Sequence, residues 1–256
     1  MKNKFTILGC GSSLGSPWIT DYWGNCKKKN PKNLRTRCCA HFQYKNLSVL
    51  IDTSPDLKIQ FKQNNLKNVD AVLYTHEHAD QTSGIFELRP FFWKNKKKID
   101  IYGSRKTIKE LKNKYDFCFK TKQGYLPIAK DHVVKNKFLL KKGSDKIKII
   151  PFEVQHGLIK ATAYVINKVA YLSDCSYVPN NSKKHLKNLN FLIIDCLRFR
   201  YHPGHFNVDS ALSLSKELNP KKTILTNLHV DLDYDVLKSK LPSNVVPAYD
   251  GMSFIF

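Results

Sequence analysis

Tyr74-Thr75-His76-Glu77-His78-Ala79-Asp80-Gln81 follows directly on an apolar, β-like run, Ala71–Tyr74. A strand that ends here presents two imidazoles and a carboxylate in the loop at its C-terminal edge. Three side chains of that kind within five positions are a poor match for an ordinary polar loop. Neutral imidazole and carboxylate are the usual ligands of zinc, manganese and iron in hydrolytic sites. Three further segments share the layout, each a β-like run ending on a ligand-capable residue. His156 follows Pro151-Phe152-Glu153-Val154-Gln155, Asp174 closes Val169-Ala170-Tyr171-Leu172-Ser173, and His229 follows Thr223-Ile224-Leu225-Thr226-Asn227-Leu228. Any one of them alone reads as a satisfied polar residue; their order along the chain points to a metal centre.

Working outward, strands are expected at Phe5–Leu8, Ala40–Tyr44, Ser48–Ile51, Ile99–Tyr102, Ile147–Phe152, Thr162–Ile166, Val169–Leu172, Phe191–Ile194 and Thr223–Leu225. Helices are expected at Pro55–Gln63, Ser104–Lys114, Ser182–Leu189 and Asp209–Leu218, each opening on Ser, Asp or Pro. Strands and helices alternate without a low-complexity linker, so residues 1–256 read as one α/β domain. The stretch 11–39 lacks periodicity, and a loop of that length in a packed domain is usually functional.

The chain has 256 residues, enough to bury roughly three-quarters of its unfolded surface without staples. Its hydrophobic content of 42% excludes a disordered tail protein. No apolar run approaches the roughly 18 residues of a membrane span, so no membrane partner is expected. The opening Met1–Cys10 mimics a lipoprotein signal, but only five residues separate Lys4 from Cys10, and Phe5–Leu8 reads as the first strand. Seven cysteines without a C-x-x-C suggest reduced thiols and a cytoplasmic location. The formal charge of +22 invites a nucleic-acid reading, yet it comes from 37 lysines and six arginines. Arginine is the residue suited to bidentate phosphate recognition. A scattered lysine surface is the simpler account, and nucleic acid is compatible as a partner but not favoured. A homodimer is left open.

The His-x-His-x-Asp motif, a distant His, then Asp, then His resembles the metal pattern of the metallo-β-lactamase-fold hydrolases. The similarity runs from Ile7-Leu8-Gly9-Cys10-Gly11-Ser12-Ser13 to Tyr249-Asp250-Gly251-Met252. Within that superfamily the chain is most similar to the phosphoribosyl cyclic phosphate phosphodiesterase family. The residues that carry this are Gly15-Ser16-Pro17, Trp23-Gly24-Asn25-Cys26, Asp195-Cys196 and Gly204-His205-Phe206. The resemblance implies an αββα sandwich with a metal site at one edge, between two mixed sheets. It implies that His76, His78 and His156 hold a first divalent metal, zinc or manganese, with Asp174 bridging to a second at Asp80. It further implies that His205 takes the general-acid position opposite a metal-activated hydroxide and that Asp80 joins it in the catalytic set. His202, three residues earlier, either shares that work or is a surface residue.

Two positions depart from the pattern. Gln81 stands where the family has His, and Asn227 stands where Thr-His follows the last strand. His229, two residues on, is the candidate replacement, because alternate residues of an extended segment point to one side. One or two metals are therefore expected, and no third, structural zinc, since only Cys26 matches that cysteine cluster. Arg35 and Arg37 are candidate substrate-binding residues because guanidinium matches phosphate geometry, with Trp18, Tyr22 and Trp23 as stacking candidates. The leading expectation is a metal-dependent phosphodiesterase acting on a small, anionic, cyclic phosphodiester. The alternatives are a transfer-RNA 3′-end nuclease, with residues 115–145 as the only stretch for an RNA-binding arm, and a non-catalytic, metal-binding regulatory domain.

Overall fold

The computed structural model describes residues 3–256. In chain order its strands are β1 (Lys4–Gly9), β2 (Cys39–Tyr44), β3 (Leu47–Ile51), β4 (Ala71–Leu73), β5 (Ile99–Gly103), β6 (Ala129–Val133) and β7 (Phe138–Lys142). They continue as β8 (Asp145–His156), β9 (Ile159–Ile166), β10 (Val169–Leu172), β11 (Phe191–Asp195), β12 (Lys222–Thr226), β13 (Val245–Pro247) and β14 (Ser253–Ile255). The helices are α1 (Leu57–Gln63), α2 (Ala79–Thr82), α3 (Arg89–Asn95), α4 (Arg105–Lys114), α5 (Asp116–Phe119), α6 (Asn180–Lys183), α7 (Val208–Leu218) and α8 (Tyr234–Ser239).

Two seven-stranded sheets result, in the orders β14-β1-β2-β3-β4-β5-β6 and β13-β12-β11-β10-β9-β8-β7. Both are mixed. Strands β3 to β6 run parallel, as do β10 to β13, while β1–β3 and β7–β10 pair antiparallel. The inner faces share one core, with Phe42, Val49 and Leu73 from the first sheet meeting Ile149, Tyr171 and Ile193 from the second. The outer face of the first sheet packs Leu50, Val72 and Ile101 against Phe61 of α1 and Ile108 and Leu111 of α4. Helix α7 covers the other sheet with Val208, Ala211 and Leu214. The layers are therefore αββα, the architecture the motif order implies.

Sequence dictates this locally. Along β8, Ile147 and Ile149 are buried while Lys146 and Lys148 are exposed, the alternation of a strand covered on one face. Strands β4 and β10 are apolar throughout, because helix and opposite sheet cover both faces. Ser104 caps α4 by accepting from the Thr107 amide, and Asn207 and Ser210 form a capping box on α7. The expected helix 182–189 is one turn, α6, followed by tight turns. His185 and Leu186 donate three residues back, and Asn188 adopts a left-handed φ of 55° that ends any helix.

The topology also sets where ligands collect. Strands β8, β10, β11 and β12 run in one direction, so His156, Asp174, Asp195 and Asn227 all emerge at the same edge. Strand β4 delivers its loop to that edge from the other sheet, where Thr162 N–H donates to the Thr75 carbonyl (2.8 Å) and Tyr164 Oη donates to the Tyr74 carbonyl (2.6 Å). Residues 115–145 form α5, β6 and β7, woven into both sheets, rather than a free-standing arm. Among the described residues no helix is long and apolar enough to cross a membrane.

Candidate metal centre

The motif begins where β4 stops, and a buried carboxylate shapes it. Asp52, at the end of β3, accepts the Thr75 amide (2.7 Å) and the Thr75 hydroxyl (2.8 Å). With its proton committed to Asp52, Thr75 Oγ1 accepts from His76 Nδ1 at 3.0 Å. That fixes the tautomer and leaves the lone pair of His76 Nε2 pointing inward. His78 Nδ1 lies 3.0 Å from this atom. His156 closes the trio, its Nδ1 donating to the Gly204 carbonyl at 2.6 Å, so that Nε2 is the nitrogen left for a ligand. One nitrogen from each of the three imidazoles falls within 4.8 Å of the others. Burial pushes His76 down to about 4 and lowers His78, so both are neutral near pH 7 and their lone pairs are available.

Beside this trio lies an oxygen-rich group. Asp174 is 5% exposed, and Gln81 Nε2 stands 3.1 Å from one of its oxygens and 3.3 Å from Asp80. Asn227 Nδ2 approaches the other Asp174 oxygen at 3.4 Å. Burial opposes ionisation of Asp174, but the His76, His205 and His156 imidazoles outweigh it and hold its carboxyl below the usual range. Asp80 shows the reverse, raised to about 6 by burial and by the charge of Asp174. His205 Nδ1 donates to the fully buried Asp195 at 2.7 Å, and its ring lies 4.7 Å from that of His156. Burial disfavours the imidazolium, yet Asp195, by charge and hydrogen bond, lifts His205 to about 9. A cationic acid therefore stands next to the imidazole trio.

Of the residues singled out by sequence, the fold brings together His76, His78, Asp80, Gln81, His156, Asp174, His205 and Asn227. His202 joins them one step removed, its ring 5.0 Å from His205 and its Nδ1 accepting the Gly204 amide at 3.1 Å. It thereby holds Gly204, whose carbonyl orients His156.

Three expectations are corrected. His229 joins neither set of converging ligand atoms: its Nδ1 lies 3.3 Å from Asp231, and its ring meets Trp18 edge-on. The reason is Asn227, whose φ of 61° breaks the extended run, so positions 227 and 229 do not share a side. Arg35 is 2% exposed, and its guanidinium donates to the carbonyls of Leu232 and His229 and to Asn33 Oδ1. It clamps the 30–35 loop to the 229–232 loop and is not free for phosphate. Arg37 is taken up by the Asp56 carboxylate through Nε and Nη2. Two residues escaped sequence reasoning as site members, Asp52 and Asp195. Both close β-like runs, the same signal that marked Asp174.

The donor set fits a divalent cation. Three imidazole nitrogens converge, and the fully buried Gln81 keeps one amide oxygen with no hydrogen-bond partner. Residues 48–227 match the beta-lactamase superfamily domain, and the chain belongs to that family as a metallo-β-lactamase-fold hydrolase. Within it the chain is of the PhnP kind. The crystal structure of a diphosphatase from the PhnP family superposes on all of this chain and 98% of its own, with a TM-score of 0.90 and 30% identity. An octanoyltransferase of Porphyromonas gingivalis (strain ATCC BAA-308 / W83) is 27% identical over 255 residues, 97% of this chain. The chain spans about half (51%) of that relative's length. The short form of human tRNase Z shares the fold, with a TM-score of 0.70 and 17% identity over 98% of each chain.

Proposed function

We propose that the protein hydrolyses a small phosphodiester at phosphorus, with a cyclic ribose phosphate as the reference substrate. His76, His78, His156 and Asp174 would hold one divalent cation, and Asp80 with Asp174 a second. Cations held there would supply an acidified water molecule and offset charge on the phosphoryl oxygens. The chain's own residues supply the rest. His205 carries the proton for the leaving oxygen on Nε2, because Asp195 occupies Nδ1 and keeps the ring cationic. His202 and the Gly204 carbonyl hold the His156 ring in place. The observation that carries this reading is the His205–Asp195 pair, an acid set beside a candidate metal trio, as expulsion of an alkoxide requires. Zinc and manganese both suit such donors.

The likeness to a PhnP-family diphosphatase favours a second reading, in which the cleaved bond lies in a diphosphate. Acyl transfer has less support, because all seven cysteines are buried and burial raises their thiols above the usual range, leaving no ready thiolate. A panel of cyclic phosphodiesters, linear phosphodiesters, diphosphates and precursor transfer RNA, assayed with added zinc or manganese, separates these readings. The expected outcome is turnover of a small cyclic diester, lowered about 100-fold or more in His205→Asn with metal content unchanged. Full activity of that variant removes the general-acid role. Cleavage of transfer RNA alone hands the function to the nuclease alternative.

A further inference from the structure

We infer that the two cation positions of this centre are chemically unequal: the His76, His78 and His156 trio retains zinc, whereas Asp80, Gln81, Asp174 and Asn227 form an all-oxygen position that takes a harder cation and holds zinc poorly. The inference rests on the metal-dependent reading of this site and goes beyond it by assigning a different ion to each half.

The trio offers three imidazole nitrogens, donors that suit zinc. The neighbouring group adds no imidazole nitrogen free for a cation: ligand atoms of His156, Asp174 and His205 also lie within 4.8 Å of one another, but His156 belongs to the trio. His205, the one ring nearby, has its Nδ1 committed to Asp195. What lines the second position is two carboxylates and two amides. Gln81 has its amide nitrogen within 3.3 Å of Asp80 and 3.1 Å of Asp174, and Asn227 has its own 3.4 Å from Asp174. A half-turn of either amide exchanges nitrogen for oxygen at the same point. Two independent observations favour oxygen facing the carboxylates with a cation between them. Gln81 is fully buried, and its Oε1 has no partner where it stands, although a buried acceptor left unpaired costs about 1–3 kcal/mol. Asp80 and Asp174 also lie within reach of the same Gln81 amide nitrogen, and Asp174 and Asp195 both flank His205, so carboxylate oxygens gather here around a single imidazole. Amide and carboxylate oxygens suit manganese and magnesium, whereas zinc gains more from imidazole.

The test reads metal rather than turnover. Chelated protein is reloaded with zinc alone, manganese alone or both, freed of loose ions by gel filtration, and measured by elemental analysis and Mn(II) paramagnetic resonance. The expected result is one retained zinc per chain from zinc alone, and one zinc plus one manganese from the mixture. A Gln81→His/Asn227→His protein, with its fold checked by circular dichroism, is expected to retain two zincs, the second held at least about tenfold more tightly than in the unaltered chain. Two zincs held equally by the unaltered chain overturn the inference. So do a single ion under every loading, or manganese replacing zinc in both positions. A misfolded double variant leaves the unaltered chain's metal content to decide. A chain that holds one zinc and one manganese yet leaves every phosphate substrate intact defeats the proposed function and not this inference.

Discussion

Asp195 shows how much of the site depends on residues that touch no substrate. Its carboxylate accepts the Cys175 amide (2.8 Å) and His205 Nδ1 (2.7 Å), so it both anchors the loop after β10 and keeps the acid protonated. Asp195→Asn keeps the shape but removes the charge that lifts His205. The expected consequence is a fall in kcat with little change in KM, and a shift of the descending limb of the pH–rate profile toward lower pH. An unchanged profile would show that Asp195 serves packing alone. Arg35 poses the opposite case, a guanidinium whose partners are structural. Arg35→Lys cannot reproduce a fork that reaches Leu232, His229 and Asn33 together. A loss of about 3 kcal/mol or more is expected in denaturant unfolding, with KM for a phosphodiester unchanged. A raised KM at full stability would restore Arg35 to the substrate. At this scale the sequence was legible where a ligand-capable residue closes an apolar run, as His76, His156 and Asp174 do. It misled where side-chain direction depended on one backbone angle, at Asn227, or where charge had been assumed to face outward, at Arg35.

Among the elements, most strands buried on both faces were readable within a residue or two, β10 within none, whereas β8 runs four residues past its expected end and β9 begins three before its expected start. Those overlooked, β6, β7, β13 and β14, lie at or next to sheet edges, where one neighbour and frequent lysines leave a weak pattern. Helix α2 is four residues long, yet it carries Asp80 and Gln81, and no propensity argument holds so short a helix in place. Its position comes from packing. Gly84 N–H donates to the Thr53 carbonyl (2.9 Å), and a Cβ at Gly84 would fall 2.1 Å from the Ser54 carbonyl oxygen. Gly84→Ala must push the 79–88 segment away from the 52–54 turn that also fixes Thr75. Elemental analysis should find the ion at Asp80 lost before the one at the imidazole trio, with a stability loss of about 1–3 kcal/mol. Full retention of both ions would mean that the turn yields instead.

For the whole molecule, two buried groups far from the metal ligands bear on acid stability, and they act with opposite sign. His41, on β2, is 3% exposed, and burial lowers it to about 4. Its folded value lies below its unfolded value of about 6.5, so the unfolded chain binds the extra proton between those limits. Stability is lost as the pH falls through that window, by up to about 3 kcal/mol. Asp250 behaves in reverse. Burial raises it to about 6 despite hydrogen bonds from the Cys10 amide (3.0 Å) and from the Thr36 amide (2.7 Å) and hydroxyl (2.6 Å). The folded chain takes up that proton first, so stability is gained as the pH falls from about 6 to 4, again by up to about 3 kcal/mol. The two contributions nearly cancel in the intact protein, and each emerges when the other is removed. In urea unfolding between pH 7 and 4, His41→Gln should gain stability relative to the unaltered protein as the pH falls, and Asp250→Asn should lose it. Parallel curves for all three proteins would mean that neither group titrates in that range. Because neither residue touches the imidazole trio or its neighbouring carboxylates, the same curves measured with and without chelator should differ by an offset whose own pH dependence belongs to the metal ligands.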